Sequence, residues 1–126
     1  MYKKITDDLY GARLIFCSGM SIEECQKKAN RAFKIQEQLW VEKTDAASFY
    51  VCTTKDDKNI YVIWVKKSRE IGTIIHEITH LVEEVFKDRG IPITYANSEA
   101  MAYYMQFFAE KILEPEKSNT KKKKKI

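Results

Sequence analysis

The sequence predicts an α+β domain: a small antiparallel sheet of about three strands packed against helices, in the order β-α-β-β-α-α. Three observations predict it. Two β-rich runs, "SFYVCTT" and "IYVIWVK", flank the polar turn "KDDKN", the pattern of a hairpin. A third β-rich run, "YGARLIFCSG", stops at a Ser-Gly pair before a helix-start signal. Two later stretches, within residues 70–88 and 95–113, repeat apolar residues at helical spacing.

Taken in order, the first strand is expected over about residues 11–17. Ser21 and Glu24 then form a capping box, in which each side chain satisfies a backbone N–H at the helix start. Ile22, Cys25, Ala29, Ala32 and Phe33 recur at helical spacing, so this helix is expected to run to about residue 38. Residues 39–47 read as loop with a possible short strand. The hairpin strands cover 48–54 and 60–66. The second is apolar at nearly every position, which suits burial on both faces or a covered edge.

Ser68 is positioned to cap the next helix, with Glu70 in its first turn, where the helix dipole favours a negative charge. Gly90 marks its stop and Pro92 blocks continuation. The last helix starts near Asn97 or Ser98 and runs to about Leu113. Residues 1–114 make one domain. The last twelve residues, "PEKSNTKKKKKI", hold six lysines, one glutamate and almost nothing apolar. Such a tail cannot bury enough surface to offset its ordering entropy, so 115–126 is expected to stay disordered.

The formal charge of +4 comes from that tail, whose net +5 leaves −1 on the other 114 residues. A near-neutral domain argues against a specific nucleic-acid face; the tail by itself allows only non-specific polyanion contact. Cys17, Cys25 and Cys52 are an odd set without C-x-x-C spacing, each in an apolar pattern. Reduced core cysteines fit a cytoplasmic protein. The N-terminus has no apolar signal region, and no apolar run is long enough to span a membrane.

The chemistry concentrates in "IIHEITHLVEE", residues 74–84, which holds His76 and His80, the only two histidines of the chain. At about 100° per residue, Ile71, Ile74, Ile75, Ile78, Leu81, Val82, Val85 and Phe86 share one broad face. Thr73, His76, Glu77, His80, Glu83, Glu84 and Lys87 share the other. Residues four apart lie one above the other on a helix, so the two imidazoles can share one Zn²⁺. Glu77 lies beside the pair, placed to act as a base toward a water rather than as a ligand. The competing reading is a solvated helix face that happens to carry His and Glu. The last helix has a polar line of Glu99, Gln106 and Glu110 with Tyr103 between them. The ten-residue connection can fold that helix back and bring Glu99 over the histidines as a third ligand. Otherwise Glu99 complements its own helix dipole.

"HEITH" followed by "NSEAMAYY" resembles the zincin metallopeptidases of the gluzincin type, and most of all small metallopeptidase-like proteins encoded by phages and prophages. The resemblance covers about residues 60–113. It implies a minimal zincin-like fold that binds one zinc and hydrolyses peptide bonds in a peptide or protein substrate. His76, His80 and Glu99 would be the metal ligands and Glu77 the general base. Many gluzincins carry an acidic residue four positions after the glutamate ligand, where this chain has Tyr103. Tyr103 is the first candidate for an oxyanion donor, ahead of Tyr104 and Tyr95, with core packing as the alternative for each. Asn97 or backbone carbonyls are candidates to hold the second imidazole nitrogens. By zincin analogy the strand at 60–65 is either the sheet edge that pairs with substrate or a buried strand. The alternative function is a zinc-stabilised protein-binding module with little or no catalysis.

Overall fold

The structure is a computed structural model. It describes residues 1–35, 38–39, 44–51, 60–68 and 70–115, with strand residues 47–51 described by their backbone. The "KDDKN" turn, Cys52 and the lysine tail lie outside the described residues. The elements are β1 (Tyr2–Thr6), β2 (Arg13–Ser18), α1 (Ile22–Phe33), β3 (Ala46–Val51), β4 (Ile60–Val65), α2 (Ile71–Asp88), a short 3-10 turn (Tyr95–Asn97) and α3 (Ser98–Leu113). The class is α+β, as the sequence predicts.

The sheet departs from the expectation in two ways. It has four strands, ordered β1-β2-β4-β3, and it is mixed: β2 pairs with β4 in parallel, while the β1–β2 and β3–β4 pairs are antiparallel. The extra strand is β1, where Lys3 and Lys4 mask the β-pattern of "YKKIT". Tertiary contact decides it. The Lys3 Nζ donates to the carbonyls of Lys111 and Glu114 at the end of α3, and the Asp7 carboxylate accepts from the backbone N–H groups of Leu9, Tyr10 and Ala12 to build the turn into β2. The parallel pairing follows from the crossover. After α1 passes over one face of the sheet, the β3–β4 hairpin places its second strand against β2. All six residues of β4 are buried, which accounts for their continuous apolar character.

Strand register sorts the core into two layers. Leu14, Phe16, Tyr61, Ile63 and Val65 face α2 and α3. Ile15, Cys17, Ile60, Val62 and Trp64 face α1, where Cys25 and Ala29 pack on them. Cys17 and Cys25 are free and buried. Helix α1 begins at the expected capping box, Ser21 with Glu24. It ends earlier than expected, at Lys34, which takes a left-handed conformation with φ 55°. Helix α2 begins after Glu70 with no side-chain cap, so Ser68 does not cap it and Glu70 lies outside its first turn. Gly90, at φ 72°, ends α2 as expected. Among the described residues no helix is long and apolar enough to cross a membrane.

Candidate metal centre

Helix α2 presents the histidines because its other side is committed to the core. Ile74, Ile78, Leu81, Val82, Val85 and Phe86 are buried against the sheet and α3. His76 and His80 are exposed on the far side. Ile71 and Ile75, expected on the apolar face, are exposed as well, so the buried stripe is narrower than periodicity suggests. The two imidazoles converge, with their Nε2 atoms 3.2 Å apart and ring centroids 4.8 Å apart. Two nitrogens bound tetrahedrally to one Zn²⁺ at 2.0–2.1 Å would stand about 3.3 Å apart. The pair therefore fits one arm of a zinc site as it stands.

Two glutamates flank the pair in different ways. The Glu83 Oε1 lies 3.7 Å from the His80 Nδ1. That contact faces the ring nitrogen opposite the one that approaches His76, the position of a carboxylate that orients a metal-binding imidazole. The spacing of three residues on a helix is the signal in the sequence that would have found Glu83. Glu77 is 6% exposed. Helix geometry puts it about 100° round from His76 and about 60° from His80, on the flank that turns toward the core. A carboxylate on a merely solvated face has no reason to be buried, since desolvating it costs free energy.

The other predicted residues lie elsewhere. Glu99 is exposed in the first turn of α3. The buried face of α3 is Tyr104, Phe108 and Ile112. Glu99 stands nine residues before Phe108, about 180° round the helix, so the polar line faces solvent. Among the described residues no group of three His, Cys, Asp or Glu side chains is arranged to hold a metal; the structure brings His76 and His80 together without Glu99. Tyr103 is 67% exposed and lines a groove against Leu9 and Tyr10 of the β1–β2 turn. Tyr104 is buried and donates from its hydroxyl to the Asp7 Oδ2 at 2.6 Å. Burial, then that bond to a carboxylate, push its phenol well above the usual value, and its role is to tie α3 to the β1–β2 turn. Tyr95 is 95% exposed. The Asn97 Nδ2 donates to the Pro92 carbonyl at 2.7 Å, fixing the bend before α3 rather than a histidine. The strand at 60–65 is interior, and β3 is the sheet edge on that side.

No family model, no curated protein and no solved structure matches this chain.

Proposed function

We propose that this protein is a zinc-dependent metallopeptidase in which His76 and His80 are two of the metal ligands, Glu99 is the third and Glu77 is the general base. The observation that carries the reading is the 3.2 Å approach of the two Nε2 atoms on one exposed helix face. The burial of Glu77 beside them and the Glu83 contact to His80 support it. Bound zinc would supply Lewis acidity, lowering the pKa of a water and polarising a peptide carbonyl. Glu77, held in place by its burial, takes the proton from the attacking water and returns it to the leaving amine. Glu83 fixes the orientation of the His80 ring. Glu99 joins when the start of α3 shifts; residues 92–100 are exposed except for the half-buried Asn97, so this movement breaks few packed contacts. Tyr103, on the same polar line, is the proposed oxyanion donor. Among the described residues β3 is the last strand on that side of the sheet, and an extended peptide substrate would pair with its edge. The buried free thiols of Cys17 and Cys25 support a cytoplasmic setting.

Elemental analysis and thermal shift of wild type and His80→Ala test the metal. The expected result is about one zinc per wild-type chain, lost in the variant. Wild-type protein that stays metal-free in excess zinc, with no thermal shift, rejects the reading. A broad peptide library with and without chelator then tests the chemistry. Glu77→Gln should keep its zinc while cleavage falls at least ~10²-fold.

The position of Glu99 away from the histidines favours a second reading, a zinc-stabilised protein-binding module whose partner supplies the remaining ligands. Zinc-loaded wild type that cleaves nothing in the library, with Glu99→Gln retaining full zinc affinity, selects that module over the enzyme.

A further inference from the structure

We propose that the groove at the C-terminal end of α2 holds a large apolar side chain of the peptide that lies across the histidine pair. The inference rests on the metallopeptidase reading and names the kind of substrate such an enzyme takes. One wall of the groove is Glu83, Glu84 and Lys87 of α2, and the other is Ile91, Pro92 and Ile93, around a volume of about 670 Å³. Ligand sites occupy about 300–1,000 Å³.

The groove continues the helix face that carries the histidines. At about 100° per residue, Glu83, Glu84 and Lys87 all point within about 60° of the His80 direction. Lys87 stands two turns, about 10 Å, beyond His80 along the helix axis. Glu83 belongs to both places: its Oε1 lies 3.7 Å from the His80 Nδ1, and it lines the groove. An extended peptide advances about 3.3 Å per residue. With its scissile carbonyl at the histidine pair, the side chain about two or three residues away reaches the groove.

Hydrogen bonding inside the far wall selects an apolar occupant. The Ile91 N–H donates to the Phe86 carbonyl at 2.8 Å and the Gly90 N–H to the Lys87 carbonyl at 3.1 Å, so both serve to end α2. Pro92 has no N–H, and its carbonyl accepts from the Asn97 Nδ2 at 2.7 Å. What this wall offers a peptide is therefore the apolar surface of three successive side chains. Ile91 packs on the core, while Ile93 is 53% exposed. A side chain laid between α2 and Ile93 removes from water apolar surface that the folded chain leaves wet. The same hydrogen bonds hold the wall in shape, so little ordering opposes binding. On the helix wall two carboxylates, Glu83 and Glu84, outnumber the one ammonium of Lys87. An acidic side chain is therefore repelled.

The test uses the full chain as Glu77→Gln, isotope-labelled at the isoleucine δ1 methyls, and capped peptides of about seven residues, of alanine and serine, that differ only in a central Leu, Asp or Lys. NMR titrations are run with and without zinc. The Ile91 and Ile93 methyl signals should shift saturably with the Leu peptide, and the Asp peptide should bind roughly tenfold or more weakly. Ile93→Asp should abolish the Ile91 shift and Ile93→Ala should weaken it, with thermal melting confirming that each variant is folded. In wild-type digests of a peptide library, an apolar residue should recur about two or three positions from the cut, and Ile93→Asp should erase that preference. An Ile91 response to the Leu peptide without any zinc uptake keeps the groove as a side-chain site and rejects the metallopeptidase reading. The inference itself is overturned if Ile91 and Ile93 do not respond, if the Leu and Asp peptides bind equally, or if the Lys peptide binds more tightly than the Leu peptide. Cleavage with no apolar preference at those positions overturns it as well.

Discussion

Asp7 receives three backbone N–H groups and the Tyr104 hydroxyl while buried in the turn between β1 and β2. Tyr104→Phe deletes one donor to a buried carboxylate and should cost about 1–3 kcal/mol in urea unfolding. The same bond has a pH signature. Burial first, then a hydrogen bond to a carboxylate, raise the phenols of Tyr104 and Tyr61 above their ordinary 10.0. The unfolded chain releases those protons near pH 10 while the folded chain retains them. The stability they contribute is therefore complete below that pH and is lost as pH rises further. Unfolding midpoints measured from about pH 8 to 11 should decline at the alkaline end, less steeply in Tyr104→Phe. Under the proposed zinc site, the contact of Glu83 with the His80 Nδ1 predicts a change in metal affinity without a change in fold. Glu83→Gln should weaken zinc binding by about 10–100-fold, read by competition with a chelating dye, while the metal-free melting temperature stays put. Unchanged affinity would leave Glu83 as a surface ion pair.

Helix α2 is the element on which the site depends, and its two glycines predict opposite effects. Gly90 ends the helix at φ 72°, and no atom lies within 4 Å of where a Cβ would stand. Gly90→Ala therefore meets no clash and pays only in left-handed backbone strain, about 1–2 kcal/mol. Gly72, inside the helix, also has open space around its missing Cβ. Gly72→Ala should stabilise by about 0.5–1 kcal/mol. Equilibrium denaturation of the two variants reads the difference; effects of the same sign would contradict the assigned helix end. Much of this element was legible in the sequence. The histidine pair, the apolar stripe and the Gly90 stop all come from local spacing and local backbone preference. Burial of Glu77 was not legible, because the rim of the buried stripe depends on what packs beside the helix. The convergence of Glu99 expected from loop length did not account for Tyr104 and Phe108, whose burial turns the polar line of α3 outward.

On the scale of the whole molecule, the sheet separates two cores, one under α1 and one under α2 and α3. Ile63 is fully buried in β4 on the side that supports α2. Ile63→Ala should cost about 2–5 kcal/mol, a large share of the 5–15 kcal/mol that holds a domain of this size. Calorimetry would read it as a lowered melting temperature; a change below 1 kcal/mol would mean that the core can collapse around the vacancy.

The sequence by itself determined the α+β class, the capped start of α1, the exposed His76–His80 pair and the reduced core cysteines 17 and 25. Each depends on interactions within a few residues of the chain, where period, capping and turn chemistry act. Only the tertiary structure decided that Lys3 anchors a fourth strand, that β2 and β4 run parallel, that Glu77 is buried and that Ile91 and Ile93 line a groove with Glu83 and Lys87. Those outcomes depend on contacts between segments far apart in sequence, such as Lys3 with Lys111 and Tyr104 with Asp7. Local pattern carries no information about which distant partner a side chain will meet.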